Sequence, residues 1–177
     1  MNTAWSVPAS LEVADLLAIA HRIEVDAVER YALLADQMEA HNNPDLTKVF
    51  LDLAKAEQIH AEEIRRLAGD VDLRGRADAL NSVWRTAESP EQADLNVAHY
   101  LMTPWHALHM CLAGEQRALA FFTSIMETAK DAKVRAMAAE FVEEEAEHVN
   151  LVHRLLRKYP EPTPSWSQDA DPPAAQD

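Results

Sequence analysis

The chain has 177 residues, a formal net charge of −14, one cysteine and three glycines. That length suits one domain of about 150 residues with tails, large enough to bury a core without disulfides or other staples. The acidic balance excludes nucleic acid and anionic lipid as partners, and scarce glycine beside many Ala, Leu and Glu residues points to an all-α chain.

Met1 to Ser10 has neither a basic region nor an apolar core, so residues 1–9 read as an N-terminal extension and not a signal peptide. No run approaches about 18 consecutive apolar residues, so no membrane span is expected. Cys111 has no partner for an intramolecular bridge, which fits a reducing, cytoplasmic compartment.

Ser10 is placed to cap a first helix running to about Ala40, with Leu17, Ala20, Ala27, Tyr31, Leu34 and Met38 on its apolar stripe and Glu24 among them. His41-Asn-Asn-Pro44 breaks the pattern, with Asn43 as the next N-cap and Pro44 at the first helical position. The second helix should run to about Ala68, where Gly69 can end it in a left-handed conformation. So short a connection makes the first two helices antiparallel neighbours. Residues 69–103 are less regular, and Ser89-Pro-Glu-Gln92 has the form of a capping box opening a short helix. This connection either crosses one end of a bundle or runs along its side. Thr103-Pro104 opens a third long helix ending near Lys130, and a fourth runs from about Ala132 to Tyr159, where Pro160 stops it. Residues 160–177 contain five prolines, several acids and no apolar periodicity, and read as a disordered tail.

Two stretches repeat across the halves. Glu57-Gln-Ile-His60 matches Glu145-Ala-Glu-His148, and each is followed by an arginine at the same offset, Arg66 or Arg154. Each also has an upstream glutamate in a matching context: Glu24 with Ala27 and Tyr31, and Glu115 with Ala118 and Phe122. A glutamate and a histidine three apart share one helix face. Two such pairs plus two single glutamates are what a four-helix bundle uses to hold a dinuclear metal site. At about 1.5 Å per residue, Glu24 and Glu57 lie roughly 24 and 20 Å from their shared turn, and Glu115 and Glu145 fall at similar depths in the second hairpin. All four carboxylates should therefore share one level, on apolar stripes. A single Glu-x-x-His in an acidic helical chain is ordinarily a solvated face; two copies with upstream glutamates at matched depth are not. Carboxylate and imidazole donors suit iron or manganese over thiolate-preferring metals. Cations also offset the cost of burying four carboxylates.

Other candidates have plainer readings. His21 lies one turn from Glu24 and reads as an edge histidine before a residue supporting the ligands. His106 and His109 fall on a flank of the third helix, and His41, His99 and His153 have no assignable partner. Cys111 reads as a buried, inert thiol. Tyr31 reads as core, with a redox role as the alternative.

The motifs Glu24-Val-Asp-Ala-Val-Glu-Arg-Tyr31, Glu57-Gln-Ile-His60, Gly114-Glu115 and Glu145-Ala-Glu-His148 resemble those of the ferritin-like superfamily, and within it the rubrerythrin diiron domain, over residues 10–159. The resemblance implies two iron ions, with manganese as the alternative. Glu57 and Glu145 would bridge them, Glu24 and Glu115 would be terminal, and His60 and His148 would bind one ion each. It implies an oxidoreductase that reduces peroxide or dioxygen in oxidative-stress protection, using an external electron donor and working as a homo-oligomer. An iron-binding protein with ferroxidase activity is the alternative, and a metal-independent interaction bundle is a third. There are two departures. One cysteine rules out the rubredoxin-type module of rubrerythrins proper, and Ala118 stands where such proteins carry a further glutamate. The second shifts the expectation towards a plainer ferritin-like site, without strong preference for peroxide over oxygen.

Overall fold

The computed structural model describes residues 10–80 and 103–163. It contains five helices: α1 (Val13–Ala40), α2 (Pro44–Ala68), α3 (Leu73–Ala79), α4 (Pro104–Thr128) and α5 (Ala132–Leu156). Among the described residues no helix is long and apolar enough to cross a membrane.

The helix ends follow local chemistry. α1 starts after Glu12, not Ser10, because Glu12 and Asp15 cap each other reciprocally. Leu11 and Leu16, flanking that cap, are both buried, forming an N-terminal hydrophobic staple. Asn43 caps α2 as expected, its Oδ1 accepting from the Leu46 amide at 3.1 Å, with Pro44 following. Gly69 terminates α2 with φ 58° and ψ −119°, a positive φ that penalises a side chain, although ψ lies outside the left-handed helical region. The α4–α5 turn is held by Arg135, whose Nη1 donates to the carbonyls of Ala129 and Lys130 at 2.9 and 2.8 Å. α5 ends three residues short of Tyr159. Its last turn tightens into i→i+3 bonds, Lys158 N to Leu155 O and Tyr159 N to Leu156 O, since Tyr159 precedes a proline and is disfavoured from helix.

α3 was not anticipated. Asp72 caps it by accepting from the Gly75 amide at 3.0 Å, Leu73 and Ala77 bury against the bundle, and Arg76 pairs with Asp15 at the start of α1. The helix expected from Ser89 lies outside the described residues, as does most of the tail, residues 164–177.

The apolar core divides in two. One cluster joins Leu16 to Ile23 of α1, Ile64 and Ala68 of α2, Ala118 to Ile125 of α4 and Val134 to Phe141 of α5. The other joins Ala27 to Met38, Leu46 to Leu53, Ala107 to Leu112, and Val152 with Leu155. These memberships fix the topology. α1 and α2 run antiparallel, α4 and α5 do likewise, and α2 ends at the opposite end of the bundle from where α4 starts. The connection between the two hairpins lies mostly outside the described residues, and the described chain on either side of it sits at opposite ends of the bundle.

Candidate metal centre

The break between the two apolar clusters is where the charged residues sit. On each long helix the core stripe passes from one cluster to the other through a glutamate: Glu24 on α1, Glu57 on α2, Glu115 on α4 and Glu145 on α5. Their exposures are 3%, 2%, 2% and 5%, an arrangement that demands compensation for each charge.

The two histidines converge on this layer. His60 Nδ1 is 3.4 Å from Glu57 Oε2 on its own helix. His148 Nδ1 lies between two carboxylates, 3.2 Å from Glu57 Oε1 and 3.4 Å from Glu115 Oε2. The rings of His60 and His148 stack at 5.5 Å, tilted by 9°, so α2 and α5 meet through their imidazoles. Two donor groups result, each within 4.8 Å: Glu57, His60 and His148, and Glu115, Glu145 and His148. Glu24 belongs to neither and sits against Glu57.

The electrostatics show how the layer survives without cations. Burial, then the charges of Glu57 and Glu115, raises the Glu24 carboxyl well above its ordinary value. Burial, then the charges of Glu115, Glu24 and Glu57, does the same to Glu145. Burial also acts to raise Glu57, but His60, His148 and the contact with Glu24 outweigh it and hold that carboxyl low. Glu24 and Glu57 are thus shifted in opposite directions. For His148, burial acts downwards, yet Glu115, Glu57 and Glu144 hold the imidazole at about 9. Contact with Glu57 raises His60 against the opposing effect of burial.

The donor set fits a pair of divalent cations. Both Glu57 oxygens and His148 Nδ1 are buried without a well-aligned hydrogen bond, despite their proximity. Buried polar atoms of that kind call for a missing partner. Oxygen and imidazole donors match iron and manganese.

The remaining histidines are elsewhere. His21 lines a cleft between α1, α2 and α3 beside Arg65, where burial and then the Arg65 charge lower it. His106 Nδ1 accepts from the Thr103 amide at 3.3 Å at the start of α4, and His109 packs on the Trp105 ring at 3.7 Å. Tyr31 is fully buried and receives the Cys111 thiol hydrogen bond at 3.3 Å; burial pushes that thiol up to about 12.

Sequence reasoning missed two charged neighbours. Glu144, on the solvent side of α5, acts on both imidazoles; its spacing of four from His148 was the available signal. Arg30 is 2% exposed, and its Nη2 lies 3.4 Å from Glu115 Oε1. Its signal was Gly114: glycine inside a helix costs about 1 kcal/mol and is kept where something approaches closely. Here a Cβ would lie 2.1 Å from Arg30 Nη1.

Two antiparallel hairpins, with a layer of carboxylates and imidazoles at mid-height, define a ferritin-like helical bundle with a candidate carboxylate–histidine metal site. The rubrerythrin family model matches residues 15–156, and the chain belongs to the rubrerythrin family. It is similar to the crystal structure, at 2.00 Å, of an uncharacterized conserved protein from Magnetospirillum magnetotacticum MS-1. Identity is 34% and the TM-score 0.69, covering 86% of this chain and 99% of that one. No curated protein matches the chain.

Proposed function

We propose that the chain is a non-haem diiron-carboxylate oxidoreductase that reduces peroxide or dioxygen. The observation that carries this reading is the pair of buried donor groups meeting at His148, with Glu57 and His148 atoms lacking aligned partners. Glu24, Glu57, His60, Glu115, Glu145 and His148 would hold the two ions. An iron pair held there would supply the redox chemistry, with electrons coming from an external donor.

The chain's own residues do the rest. The apolar clusters on either side of the layer keep bulk water from it along the bundle axis. Burial first, then neighbouring carboxylates, raises Glu24 and Glu145, so metal loading would compete with protons at both. Manganese is the alternative metal. This reading includes a cytoplasmic, homo-oligomeric protein; the exposed Leu33, Leu51, Ile59 and Leu67, all on the α1–α2 hairpin, support the oligomer.

Ala118 supports a second reading. It is fully buried one turn beyond Glu115 and offers no ligand, which favours a ferritin-like protein that oxidises Fe(II) and handles the product. One experiment separates these. Purified protein should contain about two metal ions per chain, and its reduced, iron-loaded form is mixed rapidly with peroxide or with oxygen. Multiple turnovers with a reductant support the oxidoreductase; one slow turnover with retained ferric product supports iron handling. A chain that binds no metal sinks both and leaves a bundle kept for interaction.

A further inference from the structure

The internal repeat makes one asymmetry conspicuous. Aligning Glu24 with Glu115 sets Arg30 opposite Phe121 and Gly114 opposite Ile23. The first half therefore sends a guanidinium towards the second half's glutamate, and the second half has opened its backbone to receive it. No reciprocal arrangement exists, because Phe121 carries no charge and Ile23 leaves no slot.

Three contacts define the seat. Arg30 Nη1 lies over Gly114, where a Cβ would be 2.1 Å away. The Arg30 guanidinium carbon is 4.6 Å from the Tyr31 ring centroid. Nη2 pairs with Glu115 Oε1 at 3.4 Å, both side chains being 2% exposed. A charge held this way is fixed, and it is poorly screened by solvent. Glu24 has the opposite environment: its electrostatic neighbours are carboxylates, Glu57, Glu115 and Glu144.

We infer that Arg30, seated by Gly114, is a positioning residue that makes the two ion positions unequal. It engages Glu115 as a resident counter-ion, so a divalent cation fills the Glu57–His60 half first and the Glu115–Glu145 half second, more weakly. This inference rests on the metal-site reading above.

The test is calorimetric titration of metal-free protein with Zn(II) at a fixed pH of about 8, in buffers of different ionisation enthalpy so that proton release is separated from metal binding, followed by imidazole NMR. Wild type should show two steps, with the His60 ring signal moving in the first. Arg30→Gln should tighten the weaker step by at least about 10-fold, a lower bound for a unit charge acting on a divalent cation several ångström away at an effective dielectric of about 20, and tighten the first step by less. Arg30→Lys should restore the wild-type gap. Should Arg30→Gln fail to fold, Gly114→Ala serves instead: its methyl displaces the guanidinium without removing it, and the gap should narrow.

A gap unchanged in Arg30→Gln, or in Gly114→Ala where that variant must stand in, overturns the inference. So does equal weakening of both steps, which would mark Arg30 as purely structural, or an Arg30→Lys variant that behaves like Arg30→Gln. Failure of the wild type to bind any metal would instead overturn the metal-site reading.

Discussion

Glu57 is the residue on which the layer turns. It faces His60 on its own helix, His148 across the bundle and Glu24 on α1, and its carboxyl is held low against the pull of burial. Removing it opens both the Glu24 and the histidine contacts, whereas removing Glu24 leaves both donor groups complete. Glu57→Ala should therefore lose most bound metal and Glu24→Ala should keep more of it, as read by elemental analysis after equal loading. Equal content in wild type and Glu57→Ala would disprove the ligand assignment. Loading should also expel protons, because Glu24 and Glu145 are raised well above ordinary values and His148 sits at about 9. Zn(II) titrations at pH 7 in buffers of different ionisation enthalpy should give heats that rise with that enthalpy. Identical heats would show that no proton leaves.

At the scale of elements, Gly69 separates backbone from packing with unusual cleanness. Its φ is 58°, and nothing lies within 4 Å of where a methyl group would sit, so Gly69→Ala adds strain without a clash. The cost should be about 1–2 kcal/mol in urea unfolding; no change would mean that the turn relaxes. Asn43, Pro44, Gly69 and Thr103 were legible because each boundary is set by the residue that stands at it. The same locality explains why the common level of the glutamates could be read: it depends only on rise per residue from well-marked turns. α3 was hidden because its seven residues have no periodicity to speak of, and its stability comes from Leu73, Ala77 and the Arg76–Asp15 pair, all tertiary. Arg30 was hidden for the same reason. Its partner, 85 positions away, becomes visible only when α1 and α4 are side by side.

For the whole molecule, the charged layer makes stability depend on pH to a degree set by whether metal is present. In the metal-free protein, burial chiefly, with help from neighbouring carboxylates, raises Glu24 and Glu145 well above the ordinary 4.5. The folded state then holds protons that the unfolded chain has already lost, so stability falls as pH rises from about 5. His148 adds to the trend: burial opposes its protonation, but Glu115 and Glu57 raise it from 6.5 to about 9, so its contribution is complete below 6.5 and lost towards 9. His60 is raised as well and acts in the same sense. Glu57 is lowered, so its contribution is lost only as pH falls below its ordinary 4.5, outside this window. The metal-free Tm should therefore decline steadily between about pH 6 and 9. With two divalent cations in place of the protons, the decline should flatten, and the gap between loaded and metal-free Tm should widen with pH. Scanning calorimetry of both forms across that range decides it: a metal-free Tm that holds level or rises would mean that the layer relieves its charge by some route other than protonation.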